Sequence, residues 1–474
     1  MATVSYQFLI LFLLTLCGSV SVESVETYVP QFSNPLGDPE RWRKYPELSG
    51  KRLQSLTSDT QDNLWFGTKD GVYKYDGLHW LEYPMPEHLR GPFGVQHLSF
   101  DRDGQLFAAT ESALSRLVED RWERIFPETK TVALPTHGIS PGLHSGIWTA
   151  TAFGILRYEK EVITAYTDAS NAAWLENVSQ GIRVFVIPDS MVVSQHLSEP
   201  HLGFLAHAGF IYAILPGSPA EREGLQPGDW IQESSSTDKY KDEKTFRVLW
   251  KETKKYGKVT LAPEHIQTPV FDLNTSCVFQ DNSERVWFGQ LRGTAGSFRI
   301  ADDGEPYDFK KFGPDEGLGS FGWSRFLESS DGKIWVVTSV AGSPSYVYEK
   351  GKWQEVDFSA ITGVHNGNLN PSIAETADGA IWVGGASRLN VLQNGAWTSV
   401  QAPTLPISRR IVGIEPMEDG SIWFAERNGN VYRLNYGNSQ WTRIKDLIYY
   451  GESGNGYDYY LEVSGRVVEH NVRE

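Results

Sequence analysis

Asp62-Asn-Leu-Trp-Phe-Gly-Thr68, Asp331-Gly-Lys-Ile-Trp-Val336, Asp378-Gly-Ala-Ile-Trp-Val-Gly384 and Asp419-Gly-Ser-Ile-Trp-Phe424 are four copies of one phrase. Each reads as a tight turn followed by a short apolar strand that carries a tryptophan. Asn and Gly tolerate positive φ, so the reversal is cheap. Leu or Ile, Trp and Phe or Val suit a buried strand. A supersecondary unit repeated at a fixed period decides an architecture before any single residue is interpreted.

With the aromatic as ruler, copies fall at Trp65, Phe107, Trp148, Trp287, Trp335, Trp382 and Trp423, at intervals of 42, 41, 139, 48, 47 and 41 residues. Most continue into a second strand, as in Gly71-Val-Tyr-Lys-Tyr75, Gly154-Ile-Leu-Arg-Tyr158 and Gly429-Asn-Val-Tyr-Arg-Leu434. Several short strands per unit of roughly 40–50 residues is the signature of a β-propeller. The fold class expected is all-β, a propeller with seven blades favoured and eight open. Tyr459 to Val468 is the candidate eighth copy, and Ile187-Pro-Asp-Ser-Met-Val-Val193 a degenerate ninth. The tryptophans read as blade-to-blade core, each contributing on the order of 2–3 kcal/mol by burial.

These phrases resemble the two-component regulator propeller repeat, and Asp-Gly-x-Ile-Trp-Phe is also the phrase of streptogramin-lyase-like propellers. The resemblance covers the chain outside residues 1–40 and about 180–266. It implies a fold strongly and an activity weakly, because many activities sit on propellers.

The 139-residue interval is one period plus an insertion. It contains Ala213-Ile-Leu-Pro-Gly-Ser-Pro-Ala-Glu-Arg-Glu-Gly-Leu-Gln-Pro-Gly-Asp-Trp-Ile231. Ser218 can cap a short helix with Pro219 at its first position, Gly224 ends it, and Pro227-Gly-Asp229 turns into a strand. The stretch resembles the PDZ domain, a small α+β module, with Leu202-Gly203-Phe204 matching its carboxylate-loop phrase. Residues 242–256 read as an amphipathic helix with Phe246, Leu249 and Trp250 on one face. By the resemblance, a peptide groove would involve Leu202, Gly203, Phe204, Leu205 and Ala206 on one side and Thr245 and Leu249 on the other. The partner implied is a peptide or protein C-terminus added as a strand. The usual Asn-Gly after the Gly-Asp strand is replaced by Gln232-Glu-Ser-Ser-Ser-Thr-Asp238.

The domain reading is a signal peptide over 1–21, a linker over 22–40, propeller over 41–180, the inserted module over 181–266 with its core at 200–266, and propeller over 267–474. An alternative makes Gln180-Gly-Ile-Arg-Val184 the first strand of the module. Phe8 to Leu16 is a short apolar run followed by small residues, as in a secretory leader, and too short to span as a helix. Leu16 before Cys17 departs from a lipid-attachment signal. The expectation is a periplasmic or secreted protein with no membrane span in its mature chain. Cleavage after Ser21 leaves Cys277 alone, so no internal disulfide is expected. Related propellers often precede a membrane segment and a kinase, and neither follows here.

The net charge is −16, which disfavours nucleic acid and anionic membrane surfaces. The 11 histidines show no metal spacing, and neither a nucleophile elbow nor a phosphate loop occurs. Acidic pairs such as Asp101 with Asp103 fall at turns and read as turn formers. No catalytic residue, metal or cofactor is expected. The leading function is a non-catalytic binding or scaffold protein with an unknown ligand on the propeller face. Two alternatives stay open: a propeller lyase or hydrolase, for which His365 is the one loop histidine worth naming, and a sensor ectodomain lacking its kinase.

Overall fold

The computed structural model describes residues 36–471. Its exceptions are 37–38, 91–92, 128–133, 135, 179–180, 197–201, 208–209, 227–228, 234–243, 250–255, 263, 265–268, 291–293, 320–323, 339–343, 359–371, 386–387, 401–406, 408–409, 437–448, 454–456 and 462–466. The leader, Cys17 and His365 lie outside the described residues.

Seven antiparallel sheets follow one another as the blades of a propeller. Blade 1 is Leu53–Ser58, Leu64–Thr68, Gly71–Tyr75 and Trp80–Pro84, each strand paired with the next. The remaining blades begin with inner strands His97–Phe100, Thr136–Pro141, Thr275–Gln280, Ser324–Glu328, Ser372–Glu375 and Ile411–Pro416. Blade 7 takes its outer strand from the other end of the chain: Trp42–Tyr45 pairs antiparallel with Val431–Asn435, Trp42 opposite Leu434. This closure joins the start of the array to its end. Neither extra copy is a blade. Tyr449–Ser453, Tyr457–Leu461 and Val467–Asn471 form a separate three-stranded sheet, and among the described residues Val193–His196 pairs only with Pro269–Asp272.

Seven apolar clusters, each shared by two successive blades, form the propeller core. The repeat aromatic of each blade lies in the cluster shared with the next: Trp65 with Leu98 and Ala108, Trp148 with Val278 and Phe288, Trp335 with Ile373 and Val383, Trp423 with Leu53 and Phe66. All seven are buried. The indole also holds the turn that precedes it. Trp65 and Trp287 donate Nε1–H to Asp59 and Asp281 at 2.9 and 2.7 Å. Trp335 and Trp382 donate to Ser329 and Thr376 at 3.1 and 3.2 Å. In each case the acceptor stands six residues before the tryptophan. Phe107 has no N–H, and Asp101 at the matching position is pushed up by burial. Asp59 is instead held below the usual range, because hydrogen bonds from Asn63, Trp65 and Gln61 outweigh its burial.

The insertion fills the connection from blade 3 to blade 4. Asp168 fastens its base: one carboxylate oxygen accepts from Asn171 N at 3.0 Å, the other from Leu273 N at 3.0 Å where the chain returns. The helix Ala169–Val178 follows, and then Arg183–Val186 pairs parallel with Val162–Thr167 as a fifth strand of blade 3. That strand therefore belongs to the propeller and not to the module. Beyond the Val193–His196 ribbon lies a five-stranded sheet in chain order: Phe204–His207, Phe210–Ile214, Trp230–Glu233, Lys244–Leu249 and Tyr256–Leu261. Ser218 accepts from Glu221 N at 3.2 Å and caps the short helix Pro219–Arg222. Leu215 and Trp230 pack with Leu175 and blade 3 residues, so the module is docked on the propeller.

Three outcomes are expected. Trp382→Ala should destabilise by about 3–5 kcal/mol, the cost of emptying a large aromatic site. Trp382→Phe should lose only about 1 kcal/mol, the indole bond to Thr376. Denaturant titration checks both, and equal losses would mean that the hydrogen bond, not the packing, sets the cost. Since His196 and Pro269 are paired, replacing 197–268 with Asn-Gly should leave a cooperatively folding propeller at a modestly lower Tm. A non-cooperative thermal trace by circular dichroism would place the module inside the propeller core.

Candidate functional site

The inner strands run side by side down a central channel, so their register decides what faces it. Ten residues before the repeat aromatics stand Ser55, His97, Gly138, Cys277, Arg325, Ser372 and Gly413. Eight before stand Thr57, Ser99, Ser140, Phe279, Leu327, Ala374 and Glu415. Alternate residues of a strand share a face, and two residues span roughly 7 Å. The two sets are therefore successive rings around the axis. Ten of these fourteen positions line a cavity of about 340 Å³, together with Gln54, Gln96, His137 and Ser324.

Small residues dominate the upper ring because seven strands converge there. A Cβ on Gly413 would stand 2.5 Å from Leu56 Cβ. His97 and Arg325 are the large exceptions. Arg325 is exposed to the channel and lines the cavity. Its guanidinium makes no hydrogen bond or ion pair with another described residue, and desolvation by the surrounding blades lowers its pKa, with the Glu415 charge opposing. Glu415 accepts from Ser58 Oγ at 2.6 Å, and burial pushes its carboxyl up. Burial, helped by the Arg325 charge, takes the His97 imidazole down to about 3. Cys277 Sγ lies 3.2 Å from Ser324 Oγ, and burial pushes the thiol up, so it stays protonated. His137 Nδ1 is 2.7 Å from Thr275 O. The hydroxyls of Ser55 and Ser140 are buried without a hydrogen-bond partner among the described residues. One cation, one carboxylate, two imidazoles, of which that of His97 is kept neutral, and several hydroxyls and amides thus share one compartment. This can hold a polar ligand. Among the described residues no group of three or more His, Cys, Asp or Glu could hold a metal ion.

None of these channel residues was singled out from sequence, except Cys277 as the cysteine left without a disulfide partner. The signal was present: each lies at a fixed distance before a recognisable aromatic. The residues expected to form a peptide groove are not brought together. Lys244–Leu249 is a strand between Trp230–Glu233 and Tyr256–Leu261, not a helix, so Thr245 and Leu249 lie three strands from Phe204–His207. The alternation Thr245-Phe-Arg-Val248 with β-branched and aromatic residues overrides the helical spacing read there. Leu205 and Ala206 lie on the edge strand that Phe204 opens. Leu202 and Gly203 turn beneath the short helix: Leu202 O accepts from Ala220 N at 3.2 Å, and Gly203 O from Leu215 N at 2.9 Å and Ser218 Oγ at 3.0 Å. Gly203 has φ +93°, and a Cβ there would stand 2.2 Å from Ser218 Cβ. Its glycine is thus required by packing on Ser218.

No family model matches the sequence, and no curated protein matches it. Similar solved structures include a streptogramin B lyase, 13% identical over 84% of this chain and 98% of that one, at a TM-score of 0.49. Another is a catalytically inactive virginiamycin B lyase from Staphylococcus aureus with quinupristin, 13% identical, covering 83% and 99%, TM-score 0.48. A third is the extracellular domain of a putative hybrid two-component system from B. thetaiotaomicron, 13% identical, covering 87% and 43%, TM-score 0.45. Both kinds of propeller whose repeat phrase this chain resembles are therefore among the similar structures. The likeness is one of fold, and no activity passes across it.

The half-buried His97 makes folding sensitive to acid. The unfolded chain protonates this imidazole near 6.5, whereas the folded chain resists until about 3. Between those values the unfolded state binds the extra proton, so stability is present above the upper value and drains as pH falls toward the lower. His97→Gln should flatten that limb in urea titrations across the window. An unchanged slope would show that His97 does not carry it.

Proposed function

We propose that this chain is an exported, non-catalytic binding protein that takes a small polar ligand in its propeller channel and offers the edge of its inserted sheet to an extended peptide. The observation that supports this most is the cavity of about 340 Å³ whose lining mixes hydroxyls, amides and a guanidinium without a described partner. Ligand pockets fall at roughly 300–1,000 Å³ and carry a few convergent polar groups. Export rests on the apolar run at 8–16. The peptide role rests on Phe204–His207 as an edge strand, where backbone hydrogen bonds supply affinity. A sensor role would be one use of such a binding protein.

Thermal shift against sugars, organic acids, amines and amino acids tests the reading. One class should raise the Tm, Ser140→Trp should abolish the rise by filling the channel while circular dichroism stays unchanged, and mass spectrometry should recover the ligand intact. Absence of any shift, or recovery of an altered compound, would overturn it. Titration with extended peptides should give micromolar affinity in the full chain and none after excision of 197–268. Equal peptide binding in the two would remove the module from the function.

A further inference from the structure

We propose that the channel ligand is a zwitterion of the α-amino-acid kind, its carboxylate held by Arg325 and its ammonium by Glu415. The proposal deepens the channel reading and rests on it. Arg325 and Glu415 come from blades 5 and 7 and belong to successive rings, roughly 7 Å apart along the strands. Each feels the other's charge, but no ion pair joins them. Their charged ends therefore point into a shared space without neutralising one another directly.

That arrangement selects among ligands by sign. A carboxylate offers the Arg325 guanidinium two parallel charge-assisted hydrogen bonds. A plain anion would gain that contact but place its charge beside Glu415. A plain cation would meet Glu415 but also Arg325. His97, kept neutral by burial, supplies no second positive charge. A neutral ligand would leave both charges answered only by dipoles. A molecule whose two charged groups flank one carbon meets each partner and adds no net charge to the channel. Phe279 gives the wall an apolar surface. A cavity of about 340 Å³ suits a small or medium side chain.

Calorimetric titration of the full chain with glycine, alanine, serine and leucine tests this, alongside the amide and the N-acetyl derivative of each. At least one free amino acid should bind, and either cap should weaken it tenfold or more. In Arg325→Met the acid and its amide should bind alike; in Glu415→Gln the free and N-acetylated forms should bind alike. If the N-acetyl acid binds as well as its parent, the site takes simple anions and the zwitterion assignment is wrong. If the amide binds equally, Arg325 is not the anchor. Should no amino acid bind while a sugar or organic acid does, this assignment falls and the channel reading stands; if nothing binds, both fall. The capped ligands decide the matter on the native chain even where a variant fails to fold.

Discussion

The tryptophan that follows each first turn is the contact on which the architecture depends. Its ring enters the apolar cluster shared with the next blade, and in four blades its N–H fixes the side chain that heads its own turn. One residue thus sets the local reversal and the blade-to-blade distance together. Variation within the theme follows from chemistry. Blade 3 begins its turn with Gly142, which has no side chain to accept the bond, and Trp148 reaches across to Gln280 of blade 4 at 3.2 Å. The same Gln280 oxygen accepts from Leu143 N at 3.0 Å. Glu328 and Glu375 hold the preceding blades' turns in the same way, through Asn282 N and Ser330 N.

The channel follows from that constraint. Once seven inner strands converge on an axis, residues ten before the aromatics must be small, and Ser55, Gly138, Ser372 and Gly413 obey. His97 and Arg325 do not. Both line the cavity, and Arg325 makes no hydrogen bond or ion pair there with another described residue. Departures from local consistency that bring no structural gain tend to mark function. This is why the channel, rather than the turns or the tryptophans, is the candidate site.

The architecture was legible from sequence because Trp, Asp and Gly repeat with a period, and a period survives uncertainty about any one residue. The short helix of the module was legible for a local reason: Ser218 and Pro219 are a start signal with a mechanism, and Ser218 does cap it. The strand at Lys244–Leu249 was misread because a six-residue segment satisfies helical and strand spacing at once, and its sheet partners decide. The channel residues went unread for another reason. No residue there belongs to a motif; they become a site only when seven strands, drawn from more than three hundred residues, are brought into register.

Thr275 shows how closely the module and the channel are joined. It is the first residue of blade 4, two positions after the Leu273 amide that Asp168 holds at the base of the insertion. Its Oγ1 donates to Thr151 O at 3.0 Å and accepts from Thr151 N at 3.0 Å, pinning blade 4 to blade 3. Its carbonyl meets His137 Nδ1 in the channel, and Cys277 of the upper ring follows two residues later. The chain returning from the module therefore passes directly into the channel wall through buried, bonded groups. The docked module is thus tied to that wall through Asp168, Leu273 and Thr275.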